Sequence, residues 1–192
     1  MAPLIKGGYM LKKILIVLGI LIVIVVVSAS AWLYYVGFFS NVTIIERQMG
    51  PLTFVYDSYK GDYSKAGPVM DKVCNRLTAE FNIKPTRMMG IYYSDPKTTK
   101  TEDLKSDVGC LLENADAAKA DVIMKKMKVR IMFPKNYCTA EFPMKNQMSI
   151  IFGIIKVYPE IGKYMKAKGY SMTPAIEIYE KDRIVYAFEI KK

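Results

Sequence analysis

The sequence predicts an α+β domain, a tandem β-α-β-β repeat preceded by one transmembrane helix. Three observations carry this reading. Residues 14–39 contain no charged residue, and Ile14–Val27 is almost unbroken Ile, Leu and Val. Beyond that stretch, short β-branched and aromatic runs bounded by turn residues flank two longer segments with helical spacing. The order of elements in the first half then recurs in the second.

The apolar stretch exceeds the ~20 residues a helix needs to cross ~30 Å of hydrocarbon. Trp32, Tyr34 and Tyr35 stand at its far end, where amphipathic rings favour the headgroup layer. Lys6, Lys12 and Lys13 precede it and no cation follows until Arg47. That bias makes residues 1–13 a cytoplasmic basic flank, residues 14–35 a single-pass anchor and the remainder exoplasmic, periplasmic in a bacterium. A cytosolic-facing domain is the alternative orientation. Ala29-Ser30-Ala31 also resembles a signal-peptide cleavage site. The apolar run continues through Trp32-Leu33-Tyr34-Tyr35 to Phe39, which suits an uncleaved anchor better.

Residues 36–192 are long enough for one domain with a real core. They hold all 18 acids and 25 of the 28 cations (the three leading lysines excepted), a net +7. The one dense cluster, Lys119 with Lys125-Lys126-Met127-Lys128-Val129-Arg130, reads as a solvated face, and no nucleic-acid module accompanies it. Histidine is absent, which removes His-based triads and most catalytic zinc sites. Neither a metal nor another cofactor is expected. Cys74, Cys110 and Cys138 form no C-x-x-C and sit beside apolar residues. Burial as small hydrophobes is the expectation for all three. One disulfide stays open if the compartment is oxidising.

Within the domain, 41–192, the halves are about 41–113 and 128–192. Strands are expected at Val42–Arg47 and Leu52–Tyr59, separated by Gly50-Pro51. A helix follows from about Ser64 to Phe81, with Val69, Val73, Leu77 and Phe81 on its buried stripe. Strands at Arg87–Ser94 and Asp107–Leu112 close the first half, and Glu113–Asp121 reads as a linker with a short helix after it. The second half repeats the order with strands at Val129–Phe133 and Tyr137–Phe142. Its helix runs over about Gln147–Lys168, with Ile150, Ile154, Ile161 and Met165 on one face. Pro159 bends it and Gly169 stops it. Strands at Ala175–Glu180 and Ile184–Ile190 finish the chain. Each helix covers a sheet face, both on one side, and a cleft forms between the halves.

Tyr59-Lys60-Gly61-Asp62-Tyr63 before the first helix resembles the basic-Gly-x-Tyr turn of GyrI-like small-molecule-binding domains. Gly90-Ile91-Tyr92-Tyr93-Ser94-Asp95-Pro96, followed by Asp107-Val108-Gly109, is similar to that family's first-half signature. Pro174-Ala175-Ile176-Glu177-Ile178-Tyr179 is similar to its second-half counterpart. Within the superfamily the likeness is greatest to a membrane-anchored branch that includes an ER-phagy receptor, and Met148–Lys166 resembles that branch's bent second helix. The branch carries a long disordered autophagy-adaptor tail, which is not expected in a chain that closes just after its last strand.

The resemblance implies that Glu177 meets cationic, aromatic ligands. Alternation along its strand sets Glu177 and Tyr179 opposite Ile176 and Ile178. If the isoleucines meet the helices, Glu177 and Tyr179 line the other face. Tyr92 matches Tyr179 across the repeat, Tyr63 holds the family's turn position, and Glu141 is a second acid expected at the surface. A small cationic or amphipathic ligand bound at Tyr63, Tyr92, Glu177 and Tyr179 is therefore expected. A protein-recruiting scaffold at the membrane is one alternative, its partner unidentified. Another is a small-molecule hydrolase with Glu177 as general base and a tyrosine as acid, since some members of the family are hydrolases.

Overall fold

The computed structural model of the protein describes residues 5–192, with side chains from Tyr9; residues 1–4 of the expected basic flank lie outside the described residues. Helix α1 (Ile5–Tyr35) contains an apolar segment, Tyr9–Tyr35, long enough to cross a membrane, and its most apolar window is unburied among the described residues. It ends in a glycine-capped turn. Gly37 adopts φ +86°, the Phe38 N–H donates to Leu33 O at 2.9 Å and the Gly37 N–H to Tyr34 O at 3.1 Å. These are the two bonds of the Schellman motif.

The domain follows at once. Among the described residues its strands are β1 (Ile44–Met49), β2 (Leu52–Lys60), β3 (Met88–Tyr92), β4 (Lys105–Leu112), β5 (Lys128–Met132), β6 (Lys135–Pro143), β7 (Ala175–Tyr179) and β8 (Arg183–Glu189). Helix α2 (Ala66–Phe81) follows β2, and α5 (Gln147–Ala167) follows β6. The segment expected as a linker holds the short helices α3 (Asn114–Ala117) and α4 (Ala120–Met124).

All eight strands form one antiparallel sheet in the order β1-β6-β8-β7-β3-β4-β2-β5, among the described residues. The order is symmetric about the central β7–β3 pair. Each leading strand crosses over, so that β1 pairs with β6 and β5 with β2. Short links join β1 to β2 and β5 to β6, although each pair lies six places apart. Six places span roughly 29 Å in a flat sheet, whereas two linking residues reach at most about 10 Å. The sheet therefore curls until its ends approach.

Both helices lie on the outer face of the curl. There α2 buries Val73 and Leu77 against Val55, Cys110 and Leu112, as the stripe predicts. Helix α5 buries Val157, Ile161 and Met165 against Cys138, Phe142, Ile184 and Tyr186. The expected Ile154 is not part of that face: it is 41% exposed, and Ser149 and Gly153 take the sheet-facing positions instead. A Cβ at Gly153 would come within 2.2 Å of Tyr186 Oη, so the ring needs a glycine above it. Inside the curl, Phe54, Met89, Ile91, Leu111, Ile176, Ile178 and Val185 form a second core.

Two further expectations change. Cys74 on α2 and Cys110 on β4 form a disulfide across the helix–sheet seam, Cα atoms 5.9 Å apart, and only Cys138 stays a buried thiol. Arg130 leaves the solvated face: its guanidinium donates to Asp107 Oδ2 at 2.6 Å and to the Tyr93 hydroxyl at 2.8 Å, across the inner side of the sheet.

Candidate functional site

Strand β7 sits at the centre of the sheet, where Glu177 pairs with Gly90 of β3 on one side and Tyr186 of β8 on the other. Alternation separates Glu177 from its isoleucine neighbours as expected, but the faces are reversed. Ile176 and Ile178 fill the inner core, so Glu177 and Tyr179 point to the outer face, between the two helices. The inner core takes an apolar row, which leaves the carboxylate on the helix-covered side.

Glu177 is 2% exposed. Its Oε1 accepts from the Tyr158 hydroxyl and its Oε2 from the Tyr179 hydroxyl, each at 2.5 Å. The Tyr92 hydroxyl lies 3.1 Å from that of Tyr179, and the Tyr63 ring packs edge-on against Tyr92 with centroids 4.9 Å apart. Tyr63, at the turn before α2, is held by its own hydroxyl, which donates to Lys105 O at 2.8 Å. Tyr186 stands beside the carboxylate with its ring centroid 5.8 Å from that of Tyr158, and its buried hydroxyl has no partner among the described residues. A Cβ at Gly90 would lie 2.8 Å from the Tyr92 ring, so this glycine leaves room for the ring to fold back across β3.

The electrostatics follow from this enclosure. Burial pushes the Glu177 carboxyl up from its ordinary range, and the Tyr158 and Tyr179 hydroxyls pull it partly back. Burial and the Glu177 charge push the hydroxyls of Tyr92, Tyr158, Tyr179 and Tyr186 upward, so all four stay protonated donors at neutral pH. No cation pairs with Glu177 among the described residues. The arrangement is a carboxyl group enclosed in a well of aromatic rings; its ionised form and the ring faces both attract a desolvated cation.

Tyr63, Tyr92, Glu177 and Tyr179 thus meet at one place. Tyr158 and Tyr186 were not anticipated. Tyr158 stands directly before Pro159, a step that signals only a bend in the helix; Tyr186 shares the Glu177 face through the β7–β8 register. Glu141 lies apart at the surface, bridged by Arg47 and Arg183, both at 3.2 Å. A cleft of about 330 Å³ opens on the inner side of the sheet near Ile91, Tyr137 and Ile176. Its cations are already paired, Arg130 with Asp107 at 2.6 Å, and Lys135 and Lys191 with the shared Glu189 at 2.9 and 3.7 Å.

Comparison with known proteins gives the family and the fold. A family model described as a GyrI-like small molecule binding domain matches residues 42–185. Testis-expressed protein 264 homolog of Mus musculus is 24% identical over 159 residues, 78% of this chain and 49% of that protein. Testis-expressed protein 264 of Homo sapiens is 22% identical over 176 residues, 87% of this chain and 54% of its own length. The chain therefore spans about half the length of these curated relatives. Among solved structures, the EcmrR C-terminal domain superposes with a TM-score of 0.56 at 9% identity, over 79% of this chain and 98% of that one. At that identity the likeness is one of fold.

Proposed function

This chain belongs to the GyrI-like small molecule binding domain family, and on that premise we propose that it is a membrane-anchored domain whose Glu177 well binds a small lipophilic cation. The observation that carries the reading is a carboxylate 2% exposed, bonded to two tyrosine hydroxyls and without a cationic partner among the described residues. A buried charge of this kind costs several kcal/mol unless something neutralises it. A bound cation returns that cost, and each aromatic face beneath it adds ~0.5–2 kcal/mol. Tyr63 and Tyr92 form the rim, and Tyr158 and Tyr179 hold the carboxylate in place.

The apolar Tyr9–Tyr35 helix is the anchor, and the domain faces the exoplasmic side. Lys12 and Lys13 before the span support that orientation. The Cys74–Cys110 disulfide supports it independently, because such bonds persist in oxidising compartments. Protease added to intact cells should degrade the domain; full protection until the membrane is opened reverses the orientation.

The binding test is a titration of the full chain in detergent with quaternary ammonium compounds bearing aromatic groups, and with neutral analogues of the same shape. Binding of the cations in preference to the neutral series is expected, and no binding by either series sinks the proposal. Two hydroxyls at 2.5 Å from one carboxylate also suit general acid–base work. Turnover of an ester substrate that disappears in Glu177→Gln would establish a hydrolase instead.

A further inference from the structure

The join between the apolar helix and the domain is tied to α5 by several contacts. Val36, the first residue after α1, is fully buried, and its carbonyl accepts from the Ser149 hydroxyl at 3.2 Å. Lys156 of α5 donates to Phe38 O and to Ser40 O, at 2.5 and 2.6 Å. The Phe152 ring lies between the two sides of this joint, its centroid 6.3 Å from Trp32 on the anchor and 5.2 Å from Phe38. No flexible linker separates the anchor from the domain.

Within one helical turn of Phe152, Ile151, Ile154 and Ile155 are 47%, 41% and 60% exposed. Spaced i, i+3 and i+4, they form one outward stripe. Phe38 and Phe39 extend it, 38% and 57% exposed. Surface isoleucines at this density are unusual, and nothing in the fold covers them. The anchor fixes their depth. Trp32 belongs to the ring belt of the headgroup layer, and Ile151 and Ile155 lie within roughly 5 Å of Phe152 along a helix rising 1.5 Å per residue. The headgroup layer is itself about 6 Å thick. The surrounding charge fits as well: residues 142–159 contain Lys145 and Lys156 and no acid, and residues 14–45 contain no acid either.

From this we infer that the Ile151/Ile154/Ile155 face of α5, with Phe38 and Phe39, is a lipid-contact surface inserted into the same monolayer in which the anchor ends. The inference rests on the anchor reading and deepens the ligand reading, since Ile154 precedes Tyr158 of the Glu177 well by one turn. A helix with an apolar face and basic flanks lies in the interface plane in this way.

The full chain, reconstituted in phosphatidylcholine–phosphatidylglycerol vesicles with brominated acyl chains, tests it. Trp32 is the single tryptophan and reports on the anchor directly. Ile155→Cys, labelled with an environment-sensitive fluorophore, reports on the α5 face; Cys138 is buried and Cys74 and Cys110 are bonded, so the new thiol labels alone. Val122→Cys, at a position 57% exposed on α4, is the control. Strong bromolipid quenching of Trp32 and of the label at 155, with little at 122, is the expected result. Quenched Trp32 with an unquenched, solvent-like label at 155 overturns the inference and leaves the anchor standing. A label at 155 that is blue-shifted yet unquenched also overturns it, because a protein partner then covers the face. Unquenched Trp32 overturns the anchor reading and this inference with it.

Discussion

Replacing Glu177 by Gln removes one charge from the well and almost no volume. The amide can keep both contacts, accepting from one tyrosine hydroxyl and donating to the other, since a hydroxyl does either. What disappears is the attraction for a bound cation. Tyr158 and Tyr179 already occupy both carboxylate oxygens, so the ligand charge comes no closer than about 5 Å. At that separation and an effective dielectric near 20, the pair is worth roughly 3 kcal/mol, or about a hundredfold in affinity. Calorimetric titration of wild type and Glu177→Gln with matched cationic and neutral aromatic compounds measures the difference. Cations should weaken by about two decades while neutral compounds change less than about threefold. Equal losses in both series would refute the reasoning, because they would indicate damaged packing rather than a missing charge. So would unchanged cation binding. Thermal melts supply the companion test. The folded-state pKa of Glu177 is raised by burial, so the folded protein holds this proton more tightly than the unfolded chain. Its contribution to stability is complete below the ordinary carboxylate range and is lost as pH rises through the raised value. Wild type should lose melting temperature across that window, and Glu177→Gln should not.

The remaining predictions rest on single contacts. Cation affinity should rise with pH through the raised Glu177 pKa, as the carboxylate ionises, and flatten above it; a pH-independent affinity in the wild type argues that this group does not hold the charge. Gly153→Ala should lower stability by ~1–3 kcal/mol, because the new methyl falls 2.2 Å from Tyr186 Oη. Gly162→Ala on the same helix meets nothing within 4 Å and should gain up to ~1 kcal/mol from helix propensity; denaturant melts of the two compare them directly. Val73→Asp places an unpaired carboxylate at a fully buried position in the α2 seam, at a cost of several kcal/mol, and should abolish the cooperative melt. A soluble Val73→Asp domain that melts cooperatively would mean α2 presents another face to the sheet.

The long apolar helix, the strand runs and the α2 stripe were legible because each answers to a local rule. Hydrocarbon thickness sets the length of an uncharged run, and a helix over a sheet repeats its buried residues every three or four positions, as Val73 and Leu77 do. The grouping of Tyr63, Tyr92, Glu177 and Tyr179 was legible through family likeness and repeat order. The α5 face was legible at Ile161 and Met165, which are buried as expected, but not at Ile154. Counting hydrophobes selects Ile154, but Tyr186 on a distant strand needs the space that only Gly153 leaves. The cysteines illustrate the same limit, since three cysteines allow three pairings and only α2 lying over β4 selects Cys74 with Cys110.

By itself, then, the sequence determined that Glu177 and Ile176 point oppositely, since the pleat alone requires it. Which of them faces the helices was a tertiary decision. β7 lies at the centre of a sheet curled by two short links, and the middle of that curl is filled by an apolar row. Ile176 and Ile178 fill it. Glu177 is left on the outer side, where the Tyr179 hydroxyl of β7 and the Tyr158 hydroxyl of α5, 19 residues before Glu177, close over one carboxylate. No local rule of spacing or periodicity connects those two positions. The register of the sheet and the packing of α5 do.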